Sequence, residues 1–196
     1  MTKAARMLLR CAVLVLLTAP LCAQDAVPAI AVPDANVFPG ATNPNISQNN
    51  IDQNICKKGW STKSIRPTTS YTNALKKTQL KSFGYTRTNN LPRVKTKSGN
   101  STRPDISKCV TNSSNMSCYE EDHLISLELG GNPTSPNNLW PEPWFGIWNA
   151  RDKDALENTL HKMGCDGNIS LRDAQKAIAV DWVASYRKYV ATNSPH

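Results

Sequence analysis

Apolar residues recur at helical spacing in three stretches of this chain. Residues 73–84 and 149–163 each carry an apolar stripe, and glycine marks the end of each stretch. A third helix is predicted from Ser170, because Asp173 follows it at the spacing of an N-capping box. The apolar positions of this third helix are Leu171, Ala174, Ile178, Trp182 and Tyr186. The pattern predicts three helices that each pack through one face.

Shorter patterns lie between the first two predicted helices. Residues 123–129 partly alternate between apolar and polar and predict a strand, residues 130–133 a turn, and residues 138–140 a second short strand. Residues 86–118 are polar and basic, which predicts a loop with short extended pieces. Together these elements predict an α+β fold in which helices flank a small two-stranded unit.

The N-terminus has the composition of a secretory signal peptide. Three basic residues precede the apolar run 11–17, and Leu21-Cys-Ala23 resembles a cleavage site. The run is shorter than the roughly 20 apolar residues that cross a bilayer. We expect residues 1–23 to be removed, giving a secreted or periplasmic protein without membrane association once processed. Residues 24–55 lack a periodic pattern and predict an extended or partly disordered arm, ahead of a domain spanning 56–196.

The charges are unevenly distributed. The chain has a formal net charge of +8. Residues 57–108 contain 13 basic residues and one acidic residue, whereas residues 119–158 contain eight acidic and two basic residues. Such a division fits a protein that binds a polyanion with one part and a divalent cation with the other. A solvated basic surface without a ligand fits the charge pattern equally well.

Four cysteines remain after the signal peptide, and their even number in an exported chain predicts two disulfides. Cys109 and Cys118 bracket a short polar loop, so a local bridge is the simplest pairing. Cys56 and Cys165 would then form the second bridge. A zinc site is the alternative, but the chain has no C-x-x-C pair and the expected compartment is oxidising.

An acidic residue beside a histidine indicates phosphodiester chemistry when the surrounding motif supports it. Asp122 and His123 are followed by Gly130-Gly131 and by Asn138-Leu-Trp-Pro141. A neutral imidazole can activate water near pH 7, and a carboxylate is a hard oxygen ligand for magnesium. These are the two parts that a metal-dependent phosphodiesterase needs.

The stretch from Glu121 to Gly131, then Asn138-Leu-Trp-Pro141 and Lys153-Asp-x-x-Glu157, resembles the HNH endonuclease family. The later residues are similar to an exported bacterial branch of that family. The resemblance implies a ββα-metal fold with its motif core at 119–163. It also implies a divalent metal cofactor, most simply magnesium, with manganese or zinc as alternatives.

The resemblance implies a role for each matching position. Asp122 matches the metal ligand, His123 the general base, and Asn138 the asparagine that bridges the turn and holds the base. Asn149 is the predicted second metal ligand at the helix start, with Asp152, Asp154 and His161 as alternatives. Arg151 and Lys153 are predicted to contact the scissile phosphate, although ordinary surface charge would explain them as well.

Two functions follow from these expectations. The first is a monomeric, metal-dependent endonuclease with little sequence specificity, acting on nucleic acid with DNA as the expected substrate. Residues 57–108 would hold the phosphate backbone, for example through Lys76 and Lys77. The second is a non-catalytic secreted or periplasmic binding protein that keeps the same fold as a disulfide-tied scaffold.

Overall fold

The structure is a computed structural model that describes residues 32–82, 93–95, 102–104, 109 and 115–191. The predicted signal peptide lies outside these residues. The helices are α1 (Thr69–Ser82), α2 (Ala150–Cys165) and α3 (Leu171–Tyr189), and the strands are β1 (Arg93–Lys95), β2 (Thr102–Pro104), β3 (Tyr119–His123) and β4 (Leu139–Pro143). β1 pairs with β2 and β3 with β4, both antiparallel. The fold is therefore α+β, as the sequence predicts.

The first motif strand lies earlier than the alternating pattern predicts. β3 ends at His123, where the pattern places its start, and Leu127–Leu129 form a short 3-10 helix instead. The apolar residues of 124–129 are buried because this tight segment packs beneath α2 and α3. The alternation of apolar and polar residues over 123–129 therefore reflects a buried compact turn and not the pleating of a strand. The second predicted strand is confirmed as β4.

Helices α2 and α3 begin where their capping residues predict. The Asn149 side chain accepts a hydrogen bond from the Arg151 amide at 3.1 Å, and the Ser170 hydroxyl accepts one from the Asp173 amide at 3.1 Å. The two helices pack against each other over the main core, which contains Ile125, Leu129, Leu156, Leu160, Ala174, Ile178, Trp182 and Val183. None of the helices in the described ranges has the length and apolar character that a membrane crossing requires.

The segment predicted as an extended or partly disordered arm is packed onto the domain in its described part, residues 32–55. Phe38 is buried with Leu124 and Trp140, and the 3-10 helix Gln48–Gln53 buries Ile51. The Asn43 amide also donates to the Gly130 carbonyl at 2.8 Å. Single apolar residues thus anchor this polar segment to the domain, although the segment has no periodic apolar pattern.

Helix α1 packs on β3 and β4 through polar groups as well as Leu80. The Lys76 ammonium donates to the Tyr119 carbonyl at 2.8 Å, and the Gln79 amide donates to the Leu139 carbonyl at 2.8 Å. Lys76 is buried, and burial lowers the pKa of its ammonium. Lys76 is therefore a structural residue and not the phosphate contact expected from the charge pattern, whereas Lys77 is exposed.

Both predicted disulfides are present. Cys56–Cys165 closes a span of 109 residues, and Cys109–Cys118 closes a span of 9. The longer bridge joins the segment before α1 to the end of α2.

Removing the longer bridge should cost more stability than removing the shorter one. The chain-entropy relation gives about 5 kcal/mol for the Cys56–Cys165 span and about 2.5 kcal/mol for the Cys109–Cys118 span. Urea unfolding of Cys56→Ala/Cys165→Ala and Cys109→Ala/Cys118→Ala double variants measures the difference. Equal losses would show that native-state packing around the bridges outweighs loop closure.

Candidate active site

A fully buried asparagine holds the turn between β3 and β4. The Asn138 side-chain oxygen accepts from the Ile125 amide at 2.9 Å. Its side-chain nitrogen donates to the carbonyls of Ile125 and Asn132, both at 3.0 Å. The backbone carbonyl of Asn138 also accepts from the Leu124 amide at 2.7 Å. These bonds bridge the turn as predicted for this residue, and they fix the backbone directly after His123.

Glycine is required at position 131 because the backbone of Ile125 approaches it closely at this turn. A Cβ atom at this position would lie 1.8 Å from the Ile125 carbonyl oxygen and 2.9 Å from the Asn138 side-chain nitrogen. The first neighbour is backbone and cannot move aside without opening the turn. The Gly-Gly pair that marks the motif in the sequence therefore has a steric cause.

Replacing Gly131 with alanine should lower the free energy of unfolding by about 2–3 kcal/mol, the scale of core overpacking. Gly164→Ala is the matched control, because a Cβ at this helical position meets nothing within 4 Å. That control should raise stability by about 0.5–1 kcal/mol. Urea unfolding of both variants measures the effect, and similar values for the two would contradict the steric explanation.

His123 is buried and has one ring nitrogen fixed. Its Nε2 lies 2.9 Å from the Pro133 carbonyl oxygen, which can only accept a hydrogen bond. Nε2 therefore carries the proton, and Nδ1 is left as the basic nitrogen. Burial lowers the pKa of His123 below its ordinary value, although Asp122 and the Pro133 carbonyl act against this change. The imidazole is thus neutral near pH 7 and available as a base.

Lys153 lies in the interior and not at the surface where a phosphate contact was predicted. Its side chain is 0% exposed. The ammonium donates to the Asp122 carboxylate at 2.7 Å, to the His123 carbonyl at 2.8 Å and to Glu157. Burial would lower the pKa of Lys153, but Asp122, Glu157 and Glu142 together raise it well above its ordinary value. Lys153 is therefore a charged internal anchor that no backbone phosphate can reach.

The carboxylates around Lys153 exceed the charge that one ammonium can neutralise. Burial raises the pKa of Glu142 well above its ordinary value, and neighbouring carboxylates add to the increase. Burial also raises the pKa of Glu120 and of Glu157 to about 8. Burial acts the same way on Asp122, but Lys153 and His123 outweigh it and the net pKa of Asp122 is lowered. The cluster thus holds more carboxyl groups than its one ammonium can pair, and near pH 7 burial keeps Glu120, Glu142 and Glu157 protonated while Asp122 is ionised.

A cavity of about 210 Å³ opens beside this cluster. Its charged and titratable lining residues come from β3, from the turn after it, from α2 and from the segment before α1. They are Arg66, Asp122, His123, Glu128, Asp154 and Glu157. The cavity therefore combines a neutral imidazole, four carboxyl groups and one guanidinium.

The residues predicted as the second metal ligand differ in whether they line the cavity. Asn149, the predicted ligand, caps α2 with its side-chain oxygen and does not line the cavity. Asp152 accepts from the Asn149 amide at 3.1 Å and serves the same cap. His161 lies 2.9 Å from the Ile55 carbonyl, one turn or more further along the helix. Asp154 is the alternative that reaches the cavity with Asp122, because the helix start itself is occupied by capping.

Arg66 and Glu157 are functional candidates that the sequence analysis did not assign. Glu157 belongs to the quoted Lys-Asp-x-x-Glu motif, and its spacing of one helical turn from Lys153 could have indicated a shared face. Arg66 is remote in sequence from Asp122 and carries no motif. Its Nε donates to the Thr62 hydroxyl at 3.1 Å, which orients the guanidinium at the cavity. Arg151, the other predicted phosphate contact, is exposed near the cap and does not line the cavity.

Among the residues that the structure describes, three ligand atoms of cysteine, histidine or carboxylate side chains come together only at Cys56, Cys165 and His161. One ligand atom from each residue lies within 4.8 Å of the others. The two sulfurs, however, are bonded to each other. Because zinc is bound by thiolates and not by a disulfide, this group is not a metal site in the oxidised protein.

The carboxylates of the cavity have the chemistry that a hard divalent cation prefers. Magnesium and manganese prefer oxygen ligands, and Asp122, Asp154 and Glu157 offer carboxylate oxygens from one strand and one helix. No three of their ligand atoms lie within 4.8 Å of one another, so a cation would have to draw these side chains together. Asp154 has no ion pair to another described residue, and burial raises its pKa. A bound cation would favour the ionised forms of these carboxyl groups, whose pKa values burial raises.

The raised pKa values predict a loss of stability with rising pH in the metal-free protein. Glu120 and Glu157 keep their protons to about pH 8 when folded, whereas their ordinary pKa is 4.5. The folded state therefore binds more protons in this interval, and the free energy of unfolding falls as pH rises. The lowered pKa of His123 has the opposite effect on the free energy of unfolding below pH 6.5. The fall in stability should therefore be clearest between pH 6.5 and about pH 8.

Urea unfolding in EDTA across that interval measures this slope, and added magnesium should flatten it. A stability that stays level or rises with pH in EDTA would contradict the raised pKa values of Glu120 and Glu157.

Comparison with protein-family models, with curated proteins and with solved structures found no match to this chain. Function is therefore inferred from the cavity and the motif alone.

Proposed function

We propose that this protein is a metal-dependent endonuclease of the HNH type, which hydrolyses phosphodiester bonds of nucleic acid with little sequence specificity. DNA is the expected substrate, and the active form is expected to be a monomer in the periplasm or outside the cell. The observation that carries the proposal is one cavity shared by His123, by Asp122, Asp154 and Glu157, and by Arg66.

The order of elements around the cavity supports a ββα-metal unit. β3 and β4 form an antiparallel pair, and α2 is the next helix along the chain. Asp122 and His123 end the first strand, and Asp154 and Glu157 lie in the first two turns of the helix. The end of the strand and the first part of the helix thus contribute an imidazole and carboxyl groups to one cavity.

The proposed reaction assigns each group a separate task. Asp122, Asp154 and Glu157 would hold the cation, which when bound supplies positive charge to the phosphorane and the departing oxygen. His123 Nδ1 accepts a proton from the attacking water, while the Pro133 carbonyl keeps the proton on Nε2.

Two cationic residues act in different ways in this proposal. The Arg66 guanidinium can bind a non-bridging phosphate oxygen, because it is oriented at the cavity and is exposed. Lys153 is a positioning residue, since its ammonium joins Asp122, Glu157 and the His123 backbone from inside the protein.

Cleavage of a supercoiled plasmid by the mature protein tests the proposal. Nicked and linear products should form with magnesium or manganese and disappear in EDTA. Asp122→Asn should abolish the reaction, whereas Asp166→Asn is the matched control because Asp166 lies at the exposed end of α2. Cleavage that persists in EDTA, or in Asp122→Asn, would contradict a metal site at this cavity.

One observation favours the second candidate function, a non-catalytic scaffold. Lys153 already bonds to Asp122 and Glu157, so its ammonium supplies part of the positive charge that a cation would supply. A folded protein that cleaves no plasmid with magnesium, manganese or zinc would support this role.

A further inference from the structure

A second hollow, lined by lysines around a tryptophan, lies on the chain segment directly before Arg66. It has a volume of about 700 Å³ and is lined by Gln53, Lys57, Lys58, Trp60, Lys63 and Ser64, among other small or neutral residues. No acidic residue lines it. All three lysines are exposed, and none has an ion pair to another described residue. We call this hollow the lysine–tryptophan groove.

Local turns build the groove and hold Trp60 in place. The Trp60 amide donates to the Lys57 carbonyl at 2.9 Å, and Gly59 supplies the positive φ of 81° that this turn needs. The Cys56–Cys165 disulfide ties the turn to α2. Trp60 packs against the cluster of Ile51, Ile55 and Leu171 and is only partly buried. The indole is therefore anchored on one side while it lines the groove with the other.

The groove and the candidate active-site cavity share a wall. The 3-10 helix Thr62–Ser64 follows Trp60 directly, and the Ser61 hydroxyl caps it by accepting from the Lys63 amide at 3.2 Å. Lys63 and Ser64 line the groove, whereas Thr62 and Arg66 line the cavity. One short segment therefore presents different residues to each of the two hollows.

We propose that the lysine–tryptophan groove binds a single-stranded segment of nucleic acid, with phosphates on the lysines and an unpaired base stacked on Trp60. The absence of acidic lining residues matches a polyanion. A partly exposed indole between cationic side chains matches the combination that proteins use for single strands, in which bases stack and phosphates bind lysine. A paired base cannot stack on a side chain in this way, so the groove selects single-stranded over duplex substrate.

This inference deepens the proposed function, because a strand in the groove would lie next to the cavity where cleavage is proposed. Binding itself does not require cleavage. It can be measured in EDTA, where the proposed metal-dependent reaction is switched off, so the two proposals can fail separately. Groove-dependent binding without cleavage would contradict only the nuclease. Cleavage with groove-independent binding would contradict only the groove.

Fluorescence anisotropy of a labelled single-stranded oligonucleotide in EDTA tests the groove. The variant Lys57→Gln/Lys58→Gln/Lys63→Gln should reduce the slope of log affinity against log salt by about 2, since each phosphate contact on a single strand contributes about 0.7. The matched control Lys162→Gln/Arg172→Gln/Lys176→Gln removes the same charge from exposed positions on α2 and α3 and should leave the slope unchanged.

Substitution of Trp60 tests the proposed stacking of an unpaired base on its indole ring. Trp60→Leu should weaken single-strand binding by about tenfold, whereas Trp60→Phe should retain most of it because an aromatic face remains. Thermal melting of both variants confirms that each is folded. Equal losses in the two triple variants, equal affinity of Trp60→Leu and wild type, or tighter binding of a duplex of the same sequence would each overturn the proposal.

Discussion

Replacing His123 with alanine is expected to reduce plasmid cleavage by about 10²–10⁴-fold, the usual contribution of a general base. The buried ring is neutral near pH 7, and the Pro133 carbonyl fixes its proton on Nε2. Alanine removes the proton acceptor but leaves the carboxylates of the cavity in place. Magnesium binding, measured by isothermal titration, should therefore stay close to that of the wild type.

His161 provides a matched control for this substitution. It is also a partly buried histidine, but it contacts the Ile55 carbonyl and does not itself line the cavity; its Nδ1 lies 3.9 Å from the carboxylate of the lining residue Glu128. His161→Ala should keep most of the cleavage rate, with any loss explained by lower stability. An unchanged rate in His123→Ala would remove His123 from the mechanism, and equal losses in both variants would indicate a general structural effect.

Replacing Lys153 with methionine is expected to lower the free energy of unfolding by about 3–5 kcal/mol, as for a buried ion pair that loses one partner. The methionine fills similar volume, but Asp122 and Glu157 lose the ammonium that joins them. The ionised Asp122 carboxylate then has no internal counter-charge. Urea unfolding measures the loss, and magnesium should restore more stability to this variant than to the wild type.

Lys162→Met is the control, because Lys162 lies on the same helix and pairs with Asp166 at the surface. Such exposed pairs contribute about 0.5 kcal/mol or less. A loss in Lys153→Met no larger than that of the control would show that the buried network does not stabilise the fold.

The helices could be predicted from the sequence because their signals are local. Capping by Asn149 and Ser170 and the apolar stripe of the last helix each depend on neighbouring residues. The β3 strand could not be placed correctly because its sequence, Tyr119-Glu-Glu-Asp-His123, is mostly acidic. Asp122 is bound by Lys153 of α2, and the Lys76 ammonium of α1 bonds to the Tyr119 carbonyl, so both contacts come from residues distant in sequence.

The candidate site likewise contains some residues that the sequence identifies and others that only the folded structure reveals. Asp122, His123 and Asn138 could be identified because the turn that joins β3 to β4 leaves a compact motif in the chain. Arg66 could not be identified, because only the folded structure brings the segment before α1 to the cavity. The sequence predicts a phosphate contact for Lys153 because its charge, taken alone, gives no sign of its three carboxylate partners.

A crystal structure of the mature protein soaked with manganese would locate the cation by its anomalous signal. We predict a single strong peak in the cavity, bound by Asp122 and by Asp154 or Glu157, on the side that His123 lines. A cavity without manganese at concentrations that saturate plasmid cleavage, or a peak coordinated only by residues elsewhere, would contradict a metal-dependent nuclease site at Asp122 and His123.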